Sequence, residues 1–227
     1  MNTQGLTNYL YLKWIYMMVS MKEQGYVRPE DDFFETPKVA TCTMLNNINI
    51  PEDVILWECS CGHGKISKIL EKVCPNQVLS TELNTDRYGV GGVDFLKDGA
   101  DFKPQGRFWV VTNPPFKLAN EFVRKAFEYG AERVIFLLRF NYLESGKVRE
   151  DILGNGHLLR VLLMKERLQM YPYGWTGKKG SATQNHAWFI WDRNYNNPVP
   201  SEIVVRRVSL KEGKYYAYTK GIDLCDE

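Results

Sequence analysis

Hydrophobic positions along this chain alternate between two kinds of pattern. Short apolar runs occur at "DVILWEC" (53–59), "QVLSTEL" (77–83), "RFWVVT" (107–112) and "RVIFLLRF" (133–140). Runs of this length, bounded by polar or turn-forming residues, predict buried strands. Between them, "GKISKILEKV" (64–73) and "LANEFVRKAFEYG" (118–130) carry apolar residues at helical spacing. Thr36-Pro37 reads as an N-cap followed by proline at the first helical position, predicting a helix to about Asn47. Alternation of strands and helices with short connections predicts an α/β fold with a mostly parallel sheet and helices on both faces. Further on, "LLRVLLMKERLQM" (158–170) and "HAWFIWD" (186–192) are strand-like with no helix between them. They predict an antiparallel hairpin at one edge of the sheet, with "TGKKGSATQN" (176–185) in its loop.

The N-terminal stretch "LTNYLYLKWIYMMVSMKEQGYV" (6–27) is apolar enough to raise a membrane question. Lys13 interrupts it and Lys22 closes it, so no run approaches the roughly 20 residues a span needs. No signal-peptide cleavage pattern follows. Leu10, Trp14, Met17 and Met18 fall at helical spacing, predicting an amphipathic helix that lies on the domain or on a partner, with a homodimer contact as one use. The expectation is a cytoplasmic protein with no membrane partner.

Composition narrows the picture only modestly. A chain of 227 residues with 44% hydrophobic and 25% charged residues fits one large globular domain. Net charge is +2, which neither demands nor excludes a polyanionic partner. The five cysteines (42, 59, 61, 74 and 225) include no CxxC pair, so they suggest neither a disulfide framework nor a zinc finger; reduced intracellular thiols are the plainer reading. Charge is more telling locally. Residues 157–193 hold six Lys or Arg against two acids. There Tyr171, Tyr173 and Trp175 precede Lys178 and Lys179, interleaving aromatics with cations as nucleic-acid surfaces do. A solvated hairpin with core aromatics would give the same pattern.

In open parallel sheets, ligands bind outside the carboxyl ends of the strands. The first predicted strand ends in "WECSCGHG": Glu58 followed by Gly62-x-Gly64 at a helix start. Glycines there let backbone approach a ligand, and a helix N-terminus favours negative charge. The second ends in Glu82, 20 residues after Gly62, where an acid can take both hydroxyls of a ribose. Asp94 follows, and then "NPPF" (113–116). This grouping favours a nucleoside-containing cofactor. The third position of a GxGxxG loop is Ser67, and GxxxxGK[ST] is missing, so neither a dinucleotide nor ATP fits.

These pieces resemble the S-adenosylmethionine-dependent amino-methyltransferases, specifically the N6-adenine DNA methyltransferases. "NPPF" is similar to their catalytic (D/N/S)PP(Y/F/W) motif, and "ECSCGHG" to their acid-x-x-x-Gly-x-Gly cofactor loop. Glu82 and the Asp94 of "VDFL" match the acids that hold the ribose and the adenine of the cofactor. "FETP" (34–37) resembles the aromatic-x-Thr-Pro segment that contacts its methionine end, and the order of motifs is gamma-like. The resemblance covers roughly residues 33–192 and implies a Rossmann-like class I methyltransferase. It implies a cofactor site of Phe34, Thr36, Pro37, Glu58, Gly62, Gly64, Glu82, Asp94 and Asn113. It implies catalysis by Asn113, Pro114, Pro115 and Phe116, a nucleic-acid substrate that is DNA before RNA, and no metal. Cys59 stands where the family often has proline, and the chain's length leaves little room for a separate recognition domain. A short or relaxed target sequence is therefore expected. The domain reading is an N-terminal helix and linker (1–30), a catalytic domain (31–195) and a C-terminal extension packed on it (196–227).

The adenine amine that the resemblance implies as target suits the residues of "NPPF". An exocyclic amine on adenine is conjugated with its ring, so its lone pair is a poor nucleophile. Two acceptors on its two N–H bonds, the Asn113 Oδ1 and the Pro114 carbonyl, can draw the nitrogen toward pyramidal geometry. Consecutive prolines hold such a carbonyl rigid. Phe116 would stack on a base that has left its helix. A side-chain amide of glutamine poses the same chemical problem, so protein glutamine is an alternative substrate. From another class, a catalytically silent subunit could bind nucleic acid for a partner enzyme; the intact motif argues against it.

Overall fold

The computed structural model describes residues 34–144, 146–171, 184–200 and 202–224. The predicted N-terminal helix, Tyr173, Trp175, Lys178 and Lys179 lie outside the described residues.

The chain runs α1 (Lys38–Leu45), β1 (Ile55–Glu58), α2 (Ser67–Val73), β2 (Val78–Ser80), α3 (Gly99–Phe102) and β3 (Phe108–Thr112). It continues with α4 (Ala119–Tyr129), β4 (Arg133–Arg139), α5 (Glu150–Leu153), β5 (Leu158–Met164), β6 (His186–Asp192), β7 (Val205–Val208) and α6 (Leu210–Thr219). One seven-stranded sheet has the order β2-β1-β3-β4-β6-β5-β7. β2, β1, β3 and β4 are parallel, and β6 runs antiparallel to both β4 and β5. The β5–β6 hairpin thus forms as the pattern predicts, but β6 folds inward against β4 and β7 adds a parallel strand outside β5. The predicted strands keep their positions; β6 has the predicted bounds and the others are shorter at one or both ends.

Burial on both faces explains the unbroken apolar runs of β3, β4 and β6. Because strand side chains alternate, Phe189 and Trp191 pack on one face with Trp57, Phe122 and Phe136. Trp188 and Ile190 pack on the other with Met44, Leu56, Leu70 and Trp109. Trp188 Nε1 donates to the Ala40 carbonyl at 2.9 Å, fixing α1 against the sheet. The parallel strands end on one rim, and β1, β2 and β3 bring their carboxyl ends there. Among the described residues no helix is long and apolar enough to cross a membrane.

Candidate active site

At the end of β3 the chain leaves the sheet and enters Asn113-Pro114-Pro115-Phe116. Proline stiffness and a short 3-10 turn, Phe116–Leu118, shape it; the Pro115 carbonyl accepts from Leu118 N–H at 2.9 Å. Pro114 is buried and Phe116 half-buried.

The Asn113 side chain is oriented by the segment that precedes α1. Its Nδ2 donates to the Phe34 carbonyl at 3.2 Å and to Thr36 Oγ1 at 3.1 Å. A carbonyl can only accept, so the amide nitrogen must face Phe34 and the oxygen must face the other way. Among the described residues, Asn113 Oδ1 is buried and has no hydrogen-bond partner. An orphaned buried acceptor is costly, on the order of 1–3 kcal/mol, which makes this atom a place for an incoming donor. Thr36 does not cap α1 as its sequence position predicts. Pro37 occupies the cap position with no side-chain bond, and the threonine hydroxyl serves the Asn113 amide.

A cleft of about 330 Å³ opens beside this turn, lined by Phe34, Ser60, Glu82, Arg87, Asp94 and the whole of Asn113–Phe116 among others. Glu82 is buried at the end of the second strand and accepts from Gly62 N–H at 2.8 Å and Asn84 N–H at 3.2 Å. Arg87 Nη1 stands 3.5 Å from it. Asn84 and Arg87 crowd Oε1, whereas the Gly62 amide is the one bond to Oε2 among the described residues, so Oε2 retains a lone pair. Asp94 accepts from Leu96 N–H at 3.0 Å and pairs with Lys97 at 2.9 Å. Partial burial pushes its carboxyl up, but the Lys97 ammonium and the Leu96 amide outweigh this and hold it below the ordinary value.

Glu58, expected at the cofactor site, is anchored within the protein. It is buried, lines a small recess with Phe34, Thr36 and Asn113, and is held by the backbone N–H (2.7 Å) and the hydroxyl of Ser67. Burial drives its carboxyl up to about 8, against the lowering effect of the two Ser67 bonds. Ser67, the residue that spoils a dinucleotide glycine pattern, is what ties the end of β1 to the start of α2. Neither glycine of the loop lines the cleft. Gly62 has φ 54° and Gly64 φ 76°, and a Cβ on Gly64 would sit 2.5 Å from the Tyr88 ring. Within the protein they permit close approach to Tyr88, and to Glu82 through the Gly62 amide.

Sequence reasoning missed several neighbours. Ser60 Oγ and Thr112 Oγ1 are 2.8 Å apart, bracing the cofactor-type loop against the residue before Asn113. Glu35 faces Lys65 Nζ at 3.9 Å and His63 Nδ1 at 3.5 Å. The Phe116 ring lies under the Arg139 guanidinium at 4.9 Å and 6.1 Å from the His186 ring. Only pairing across β4 and β6 brings the last two there, so no local signal could have found them. Of the predicted substrate residues, Tyr171 reaches this region: its carbonyl accepts from Glu35 N–H at 3.3 Å.

No protein-family model and no curated protein matches the sequence. Solved structures do match in shape. A modification subunit assigned to a type I restriction enzyme of Vibrio vulnificus YJ016 aligns with a TM-score of 0.54 at 15% identity, covering 91% of this chain and 53% of that one. A type I restriction-modification methyltransferase subunit from Streptococcus thermophilus aligns at 0.53 and 13% identity, covering 86% and 53%. A protein assigned as an RNA methyltransferase from Pyrococcus horikoshii aligns at 0.50 and 15%, covering 72% and 89%. The chain spans about half the length of the two modification subunits. At these identities the likeness concerns the fold, which is the Rossmann-like class I methyltransferase fold.

Proposed function

We propose that this protein transfers a methyl group from S-adenosylmethionine to the exocyclic N6 of adenine in DNA, at a short or relaxed target sequence. The observation that carries this reading is the Asn113 amide. Its nitrogen is engaged by Phe34 and Thr36, its oxygen is buried and without a partner among the described residues, and the residue lines a cleft shared with Glu82 and Asp94. Such an acceptor suits an amine whose lone pair must be freed, and it acts by preorganised polarity rather than by a strong base.

The residues around the cleft fit the cofactor. Glu82 would take a ribose hydroxyl on Oε2, Asp94 the adenine amine, and Phe34, Thr36 and Glu35 the methionine end. When bound, S-adenosylmethionine supplies an electrophilic methyl on a sulfonium. Asn113 Oδ1 and the Pro114 carbonyl accept the two N–H bonds of the target amine, and Phe116 stacks on its base. The restriction-modification neighbours support DNA as the substrate, as does the aromatic-x-Thr-Pro segment that orients Asn113.

Incubation with methyl-labelled S-adenosylmethionine and separate pools of DNA, RNA and protein, followed by nucleoside and amino-acid analysis, tests the proposal. The expected product is N6-methyladenine in DNA. Label confined to RNA adenine or to protein glutamine would replace it with one of those substrates.

A further inference from the structure

The pairing of β4 with β6 sets two arginines at its two ends, and they are treated differently. At the end away from the site, Arg133 stands opposite Asp192 and donates to its carboxylate at 2.6 Å. At the site end, Arg139 stands opposite His186, which is neutral: burial and the neighbouring guanidinium push its imidazole down to about 4. Arg107 and Arg124 likewise have carboxylate partners. Among the described residues Arg139 has no ion pair, and its Nε is buried without a hydrogen-bond partner. His186 is 7% exposed, and its Nδ1 is also buried with no partner among the described residues. Both surround Phe116 on the rim where the acceptor turn sits.

Burying part of a guanidinium with no counter-charge is unfavourable unless an anion arrives from outside. Its planar fork matches phosphate oxygens. The Phe116 ring lies against it, so an anion attached to whatever stacks on that ring comes within its reach. We propose that Arg139, flanked by His186, is a phosphate subsite for the nucleotide backbone beside the target base, and so a positioning residue for a nucleic-acid substrate. This rests on the reading of Phe116 as the base-stacking residue. It also separates that substrate from a glutamine side chain, which carries no phosphate.

The test uses a fluorescein-labelled thymidine oligonucleotide with one central adenine, single-stranded and as a duplex, titrated against the full chain over a range of KCl. Arg139→Met keeps the stem over Phe116 and removes the charge. His186→Asp gives Arg139 the carboxylate that Arg133 already has. Both variants should bind S-adenosylmethionine as the parent does. Each should lose ~10-fold or more in oligonucleotide affinity, as for one charge-assisted bond. Each should also flatten the salt slope by about 1, as for one phosphate contact. Replacing single phosphates near the adenine by neutral methylphosphonates should weaken the parent at one position and leave Arg139→Met indifferent to that change. Parent and variants with equal salt slopes and equal methylphosphonate profiles would overturn the subsite while leaving DNA as the substrate. A parent that binds neither oligonucleotide form would overturn the nucleic-acid reading and the subsite with it.

Discussion

Asn113 illustrates how a single side chain can be legible in sequence while the reason it works is not. "NPPF" identifies the acceptor, but which way its amide points depends on Phe34 and Thr36, which lie 79 and 77 residues earlier. Asn113→Ala should leave cofactor affinity nearly intact and lower kcat by roughly 10²-fold or more, as for loss of a preorganised polar group. Thr36→Val, which removes one of the two acceptors holding the amide, should lower kcat in the same direction by less. Single-turnover methylation beside calorimetric cofactor titration separates the two quantities; normal turnover by Asn113→Ala would refute the proposed chemistry. Glu82 belongs to the cofactor side of the same cleft. Its replacement by alanine should weaken S-adenosylmethionine binding by ~1.5–3 kcal/mol, the usual cost of a hydrogen bond to a charged group. Unchanged affinity in a folded variant would remove Glu82 from the site.

Elements were easier to read than their joints. Continuous apolar runs betray β1, β3, β4 and β6 because both faces of those strands are buried, and periodicity finds α4 because only one of its faces is. At the joint between β1 and α2 the pattern shows an acid and a glycine turn, but not that Ser67 holds Glu58 or that Gly64 makes room for Tyr88. Side chains that meet across a turn leave no periodic trace, and neither does the β4–β6 pairing that brings Arg139 to Phe116. The joint has a pH signature. In the fold the Glu58 carboxyl keeps its proton up to about 8, while in the unfolded chain it loses it near the ordinary 4.5. Between those values the folded state holds more protons, so this group makes stability fall as pH rises, by up to about 1.4 kcal/mol per pH unit. Glu58→Gln keeps an acceptor for Ser67 and cannot ionise. Its stability relative to the parent should therefore increase from pH 4.5 to 8. Urea midpoints across that range check this, and parallel curves would mean that Glu58 ionises in the fold as it does in water.

At the scale of the whole molecule, the last helix reaches the site through the first. β7 pairs with β5, and α6 packs along α1, whose N-terminus follows directly on Thr36 and Pro37. The contact between the two helices runs through Gly213, which is buried in the middle of α6. A Cβ there would meet the Val39 carbonyl at 2.7 Å, the Thr43 amide at 2.9 Å and the Thr43 hydroxyl. Two effects of Gly213→Ala oppose each other. Alanine is the better helix former by roughly 1 kcal/mol. Overpacking typically costs about 1–3 kcal/mol, and more where neighbours cannot turn aside. The hydroxyl could rotate, but two of the three clashing atoms are backbone, so the helices must separate and the steric term should win. Net destabilisation of ~1–2 kcal/mol is expected, lowering Tm by roughly 2–4 °C for each kcal/mol in a chain of this size. Displacing α1 would also move Thr36 away from Asn113, so kcat should fall with little change in the affinity of the Glu82 side of the cleft. Calorimetric melting and methylation kinetics on the variant test both parts. A rise in Tm, which helix propensity alone would give, would show that α1 and α6 are not packed closely enough for the last helix to hold the Thr36–Asn113 contact.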